Sequence, residues 1–279
     1  MGIVEFTDTE FMTCACARQF EDGKTVFVGF GMPQVAAMLA ERLYAPNVLQ
    51  VFEFGAIGPR PLTPFIRGTM GGATNTYRSL QWTSMNWAFA YAASGYIDYG
   101  ILGAAQVDPF GNINTTLLGG DYHHPGRRFP GSGGGNEVAS LCWRTIILIH
   151  HEKRRFVERL DFCTSPGYLR GAQEREAAGL PRGTGPYKVV TSRALFGFDP
   201  DTRRMRLDAV LSGVSPDEVL EEMGFTPLVA SPVEVLDPPT PDELRVLRQE
   251  IDPAGVITGR GRRMSVDGAR QERGPRAGR

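Results

Sequence analysis

Two features of the sequence put chemistry-bearing groups where they can act. The first is Glu53, in VFEFGAIGPRP (51–61), a carboxylate ending an otherwise apolar run and followed by Gly55 and Gly58. At the C-terminal end of a parallel strand such a side chain points into the crevice where α/β sheets bind ligands, and the glycines let backbone or ligand come close. A carboxylate in that position also pairs with arginine or caps helices, so position alone leaves both roles open. The second feature is Gly131-Ser132-Gly133-Gly134-Gly135-Asn136. Its glycines leave a row of unblocked N–H groups suited to an oxyanion, a phosphate or a thioester carbonyl. No Gly-Lys-Ser/Thr follows it and no G-x-G-x-x-G spacing is present, which excludes a P-loop and a dinucleotide fingerprint. A flexible surface loop is the alternative.

The remaining reactive side chains are less organised. All four histidines fall in two doublets, His123-His124 and His150-His151, without H-x-x-x-H or Cys/His ligand spacing, so no metal site is expected. Cys14 and Cys16 lie two apart on an expected helix, about 200° from each other around its axis, and read as helix residues rather than ligands. No G-x-S-x-G elbow occurs, which disfavours an α/β-hydrolase. The run Glu152-Lys153-Arg154-Arg155 after a buried strand is either a solvated face or a basic corner for a nucleotide phosphate.

The elements that must carry these groups follow from local signals. Thr7 with Glu10 forms a capping box that opens a helix to about Glu21. TVFVG (25–29) reads as a strand, Pro33 opens a helix with Val35, Met38, Leu39 and Leu43 on one face, and VLQVFEF (48–54) reads as the next strand. Strand, helix and strand in about 30 residues predict a βαβ unit with ligand chemistry at the carboxyl ends of a parallel sheet. Residues 58–77 and 119–136 read as long loops, 82–93 as a helix, and 96–105 and 145–150 as buried strands. Strands at 188–191, 194–198 and 205–210 have the spacing of a small meander. Ser215 with Glu218 and Thr240 with Glu243 are two further capping boxes, each with Pro at the first helical position, and the last helix is expected to end before Pro253.

Length and composition set the outer limits. The chain has 279 residues with 42% hydrophobic and 22% charged residues, ordinary globular usage that excludes collagenous or coiled-coil classes. Net charge is −1, so no whole-protein field draws it to nucleic acid or anionic lipid, and neither is expected as a partner. Seven of the last 20 residues are Arg, which makes that segment basic against an acidic body. Residues 1–254 are therefore expected to form the folded unit and 255–279 a basic, disordered tail. Four cysteines are too few for a disulfide scaffold, and no secretory leader or apolar stretch of spanning length is seen, so a cytoplasmic, unexported protein is expected.

The ordered motifs resemble the β (B) subunits of class I coenzyme A transferases, those of glutaconate CoA-transferases most of all. The matching text includes RLYAPNVLQVFEFGAIGPRP, GAAQVDPFGNINTT (103–116), GDYHHPGRRFPGSGGGNEVAS (120–140), TIILIHHEKRRFVERLDFCTSPG (145–167) and EREAAGLPRGTGPYKVVTS (174–192), and the likeness runs to about Pro253. It implies an α/β fold: an open, mostly parallel sheet with flanking helices, a small β-rich segment and a disordered C-terminal tail. It carries Glu53 onto the family's nucleophile, which passes CoA between an acyl-CoA and a carboxylic acid through a glutamyl-CoA thioester. The glycine loop then belongs to the acyl-CoA site, with Gly131, Ser132, Gly133, Gly134 and Asn136 contacting CoA or the oxyanion, and Gly133 or Gly134 the candidate N–H donor. Phe54, Gly55 and Gln106 are candidates for orienting substrate. Coenzyme A enters as a substrate, no cofactor is expected to stay bound, and a homologous A (α) subunit is expected to complete the site. The family usually has Ser or Asn where Phe54 stands, which implies a bulky, apolar acyl group. Ring-cleaving hydrolases and decarboxylases share the fold and are the nearest alternative. A non-catalytic subunit or a sensing domain is a more distant one.

Overall fold

The computed structural model describes residues 3–267 apart from Arg67 and Thr69. The strands and helices are β1 (Ile3–Thr7), α1 (Asp8–Ala17), β2 (Thr25–Val28), α2 (Met32–Leu43), β3 (Leu49–Val51), β4 (Ala56–Ile57), β5 (Gln81–Trp82) and α3 (Met85–Ala93). They continue with β6 (Tyr99–Gly103), β7 (Gln106–Val107), β8 (Ile113–Asn114), β9 (Leu117–Gly120), β10 (Pro125–Arg128), α4 (Gly135–Leu141) and β11 (Arg144–Ile149). The last are α5 (Glu174–Ala177), β12 (Pro186–Thr191), β13 (Ala194–Phe198), β14 (Met205–Leu211), α6 (Pro216–Glu221), β15 (Leu228–Leu236), α7 (Pro241–Arg245) and β16 (Arg263–Asp267).

Ten strands form one sheet in the order β15-β14-β13-β12-β11-β6-β2-β3-β4-β5. Its centre, β12-β11-β6-β2-β3, is wholly parallel, and antiparallel pairs extend it at both ends. The period-two rule of strands divides the core between its faces. Ile146 and Leu148 pack with α1 and α2, whereas Ile147 and Ile149 pack with Val107, Phe156 and Phe196 on the other side. Phe27 joins Ala88, Ala92 and Val138, packing α3 and α4 against that second face. Helix α1 is buried all round, so Cys14 and Cys16 point in different directions and both lie in the core. Among the described residues no helix is long and apolar enough to cross a membrane.

All three capping boxes are formed, at Thr7, Ser215 and Thr240, and Pro33 stands in the first turn of α2. Other expectations change. The strand expected at 48–54 stops at Val51, because the chain reverses through 52–55 to pair β4 antiparallel to β3, and Glu53 lies on that turn. Trp82 belongs to β5, and the helix expected from it begins at Met85. The loop expected at 119–136 contains the β9–β10 hairpin. The expected meander forms, β12, β13 and β14 pairing antiparallel in turn, and because β12 runs parallel to β11 it continues the main sheet out to β15, a placement that sequence patterning did not reveal. The tail expected from 255 is ordered through Asp267. Asp252 accepts the N–H groups of Val256, Ile257 and Thr258 at 2.7 to 2.9 Å, and β16 pairs antiparallel with β1. Residues 268–279, the rest of that expected tail, lie outside the described residues.

One capping box does more than start a helix. Glu243, with no exposed side-chain surface, takes two hydrogen bonds from Arg18 (2.8 and 2.6 Å), one from the Tyr44 hydroxyl (2.5 Å) and one from the Thr240 N–H (2.6 Å). Burial pushes its carboxyl up, but the Arg18 hydrogen bonds and charge and the other donors outweigh burial and hold it below the usual carboxylate range. Its contribution to stability is therefore full above the unfolded-state value of about 4.3 and is lost as pH falls through the lower folded-state value. Glu243→Gln leaves the Arg18 charge without its carboxylate, with only the Asp237 and Pro238 carbonyls still accepting from it, and is expected to cost about 3 to 5 kcal/mol. Chemical denaturation at neutral pH checks this, and the difference from the parent is expected to shrink in acid.

Candidate active site

Glu53 is aimed by a turn that tolerates little change. The Gly55 N–H donates to the Phe52 carbonyl (3.0 Å) and the Thr83 N–H to the Gly55 carbonyl (2.9 Å), pinning the turn against the junction of β5 and α3. Gly55 has φ +105°, and a Cβ there would lie 1.9 Å from the Thr83 carbonyl oxygen, so this position requires glycine on both counts. Phe54 stacks on Phe52 (ring centroids 5.7 Å, planes 18° apart) and packs beside Trp82 (6.0 Å). Its ring does not line the cavity that Glu53 faces, so its bulk does not shape that space.

That cavity, of about 600 Å³, opens at the carboxyl ends of β2 and β6, where the βαβ reading put it. Its walls include Phe30, Ile101, Leu102, Thr115, Ser165 and the glycine loop from Gly131 to Gly135. The Gly134 N–H donates to Glu53 Oε2 at 3.1 Å. A Cβ on Gly134 would lie 2.5 Å from that oxygen and 2.5 Å from the Phe89 ring. The loop itself is tied down. Gly131 and Thr115 exchange two hydrogen bonds (3.0 and 2.9 Å), and the Gly135 N–H donates to the Ser132 carbonyl (2.7 Å). Among the described residues the N–H groups of Ser132 and Gly133 have no acceptor. The site thus joins a carboxylate, one N–H that orients it and two more in the adjacent loop, beside an apolar wall.

Two more expected residues, like Phe54 and Gly55, stand apart from the cavity. Asn136 donates to the Thr164 carbonyl (3.1 Å), steadying the segment that carries Ser165. Gln106 is buried, accepting from Asn114 (2.7 Å) and from the Asp161 N–H (3.3 Å), so its amide is used within this chain.

Two arginines lie outside the expected site residues: Arg175, which the sequence did not single out, and Arg155, which it offered only within the basic run. Arg175 is a buried cation that donates to the carbonyls of Ala139 (2.6 Å), Ser140 (3.1 Å) and Gly167 (2.8 Å) and to the Thr184 hydroxyl (3.0 Å). It holds the C-terminal carbonyls of α4 and so fixes the helix that follows the glycine loop. With no carboxylate paired to it among the described residues, burial pulls its pKa down to about 10. Nothing in its sequence neighbourhood marks it as buried. Arg155, from the basic run, lines the cavity, whereas Arg154 is exposed and paired with Glu152. The one available signal was that this run follows the central strand β11.

A largely apolar crevice with a carboxylate and free N–H groups at one wall is suited to acyl-group chemistry, and comparisons narrow it. The coenzyme A transferase family model matches residues 9–222. The B subunit of glutaconate CoA-transferase from Acidaminococcus fermentans is 38% identical over 89% of this chain and 93% of its own. The crystal structure of that organism's glutaconate coenzyme A-transferase superposes with a TM-score of 0.84 at 36% identity, covering 91% of this chain and 97% of the other. The B subunit of 3-oxoadipate CoA-transferase from Pseudomonas knackmussii is 35% identical over 87% of this chain and 92% of its own. The cholesterol ring-cleaving hydrolase IpdB subunit of Mycobacterium tuberculosis is 30% identical over 90% and 96%. This chain belongs to the coenzyme A transferase family.

Proposed function

We propose that the chain is the B subunit of a heteromeric CoA-transferase that moves CoA from an acyl-CoA to a free carboxylic acid, with Glu53 as the nucleophile. The observation that carries this reading is the Glu53 carboxylate turned into the cavity and held by the Gly134 N–H. A carboxylate is ionised at neutral pH and needs no general base, but water must be kept from it for it to attack. A Glu53 oxygen adds to the thioester carbonyl, and the resulting oxyanion is met by the Ser132 and Gly133 N–H groups, one such donor being worth roughly 2.7 to 4 kcal/mol. The C–S bond breaks, leaving an acyl-glutamyl anhydride and CoA thiolate. The thiolate then adds to the glutamyl carbonyl, expelling the first acid as its carboxylate and forming the glutamyl-CoA thioester. An acceptor carboxylate displaces the thiolate to form a second anhydride, and the thiolate attacks its acyl carbonyl, giving the new acyl-CoA and free Glu53. Coenzyme A is in this reading a substrate that leaves at the end of each cycle.

A homologous A subunit completes the site. Exposed Trp82, Met85, Trp87 and Tyr96 lie on or beside β5 and α3, the elements packed against the Glu53 turn, and an apolar patch of this kind is suited to a protein interface. Four unpaired cysteines fit a reducing, cytoplasmic setting. The test is mass spectrometry of the co-expressed subunits after incubation with a panel of acyl-CoAs. A CoA-sized adduct on Glu53, reducible by borohydride, is expected, together with no turnover by this chain alone. Loss of CO₂ or gain of water by an acyl-CoA without any adduct would assign the site to decarboxylase or hydrolase work.

A further inference from the structure

The reaction proposed above brings three anions to the cavity: the Glu53 carboxylate, the tetrahedral oxyanion and the CoA thiolate. The first has the Gly134 N–H, and the second the Ser132 and Gly133 N–H groups. The thiolate has no donor among these, and an anion set free beside an apolar wall needs one. Few side chains of the lining can serve. Arg155 is ion-paired with Glu152 at 3.2 Å, and the Thr115 hydroxyl donates to the Gly131 carbonyl (2.9 Å). Ser132 is exposed. Ser165 is only 2% exposed, yet among the described residues its hydroxyl has no hydrogen-bond partner and is not occluded, so it opens on the cavity that it lines.

We propose that the Ser165 hydroxyl is a catalytic donor to the CoA sulfur, stabilising the thiolate from the breaking of the C–S bond until it adds to the next carbonyl. This rests on the transferase reading given above. Position supports it. A Cβ on Gly134 would lie 2.5 Å from Glu53 Oε2, and one on Gly135 would lie 3.4 Å from Ser165 Oγ. The carboxylate and the hydroxyl therefore rest against consecutive residues, about 3.8 Å apart between Cα atoms, on one stretch of the cavity wall. The backbone that carries the hydroxyl is also held still. Ser165 exchanges two backbone hydrogen bonds with Ile113 (3.1 and 3.0 Å), Thr164 Oγ accepts the Thr115 N–H (2.9 Å) and the Pro166 carbonyl accepts from Arg175 (3.1 Å). A hydroxyl placed in this way has only to turn about its C–O bond to meet the sulfur, so little reorganisation opposes it. When the C–S bond breaks, its electron pair stays on sulfur; Ser165 keeps its proton and donates only a hydrogen bond. That bond is given up as the thiolate adds to the glutamyl carbonyl, which leaves Ser165 unchanged.

The test compares the co-expressed two-subunit enzyme with its Ser165→Ala variant, which removes a hydroxyl bonded to nothing among the described residues. With acetyl-CoA, butyryl-CoA and glutaryl-CoA as donors, kcat is expected to fall roughly 10- to 100-fold on all three, with KM nearly unchanged. No loss, a loss confined to one acyl group, or a loss carried by KM overturns the proposal. A second measurement reads the sulfur itself. In the Glu53→Gln enzyme, which lacks the nucleophile, bound CoA is titrated through the ultraviolet absorbance of its thiolate. Adding Ser165→Ala is expected to move that ionisation about one pH unit higher. An unmoved titration overturns the proposal, because a merely structural serine would leave the ionisation of the sulfur alone. The titration does not depend on turnover. A shift that requires Ser165, with no Glu53 adduct in the parent, sustains the thiolate contact and removes the transferase reading; an adduct in the parent with no shift does the reverse.

Discussion

Glu53→Gln is expected to lower turnover of the assembled enzyme by roughly three to six orders of magnitude, the range seen when a covalent nucleophile is removed. The amide keeps the shape of the side chain and can still accept from the Gly134 N–H, so the loop and turn stay in place. What is lost is the anionic oxygen that forms the acyl bond. Glu53 is only half-buried and makes one hydrogen bond among the described residues, so stability is expected to change by no more than about 0.5 kcal/mol. Glu53→Asp tests placement. It retracts the carboxylate by one methylene from the N–H that aims it, and misplacement of about 1 Å costs on the order of 100-fold. Steady-state rates, with the CoA adduct followed by mass spectrometry, check both. A Glu53→Gln enzyme with a tenth of the parent rate would exclude covalent catalysis by this residue.

Gly134→Ala is expected to be nearly as damaging to turnover for a different reason. Gly134 has φ −84°, a conformation open to any residue, so the backbone does not demand glycine. Space does: the added methyl would lie 2.5 Å from Glu53 Oε2 and 2.5 Å from the Phe89 ring. Either the carboxylate or α3 must move, and a loss of roughly 100- to 1,000-fold in kcat is expected. Overpacking should cost about 1 to 3 kcal/mol of stability, which leaves a folded enzyme to measure. Gly133→Ala is the control for the loop. A Cβ there meets nothing within 4 Å, but φ +48° strains the backbone by roughly 1 to 2 kcal/mol. Wild-type kcat in Gly134→Ala would show that the contact with Glu53 does not set the reactive geometry.

Much of the scaffold was legible because its signals are local. A threonine or serine three residues before a glutamate, with Pro between them in two of the three cases, sets a helix start through contacts within one turn. The βαβ unit followed from hydrophobic period and one proline, and it located the crevice at the strand ends. Glu53 and the glycine loop were legible as types, one anionic side chain and one row of bare N–H groups. That they meet at 3.1 Å across 81 residues was not.

The sequence by itself determined the family, the three capped helix starts, the parallel centre of the sheet and the identity of the candidate nucleophile. Each of these depends on residues near one another in the chain or on the order of whole motifs. Tertiary structure decided which way neighbouring side chains turn. Glu53 enters the cavity and Phe54 leaves it; Arg155 lines it and Arg154 faces water. It also decided that β16 returns to pair with β1 from the far end of the described chain, and that Arg175 clamps α4 from an element more than 30 residues away. Such choices are set by contacts between distant segments, whose energies no local pattern encodes.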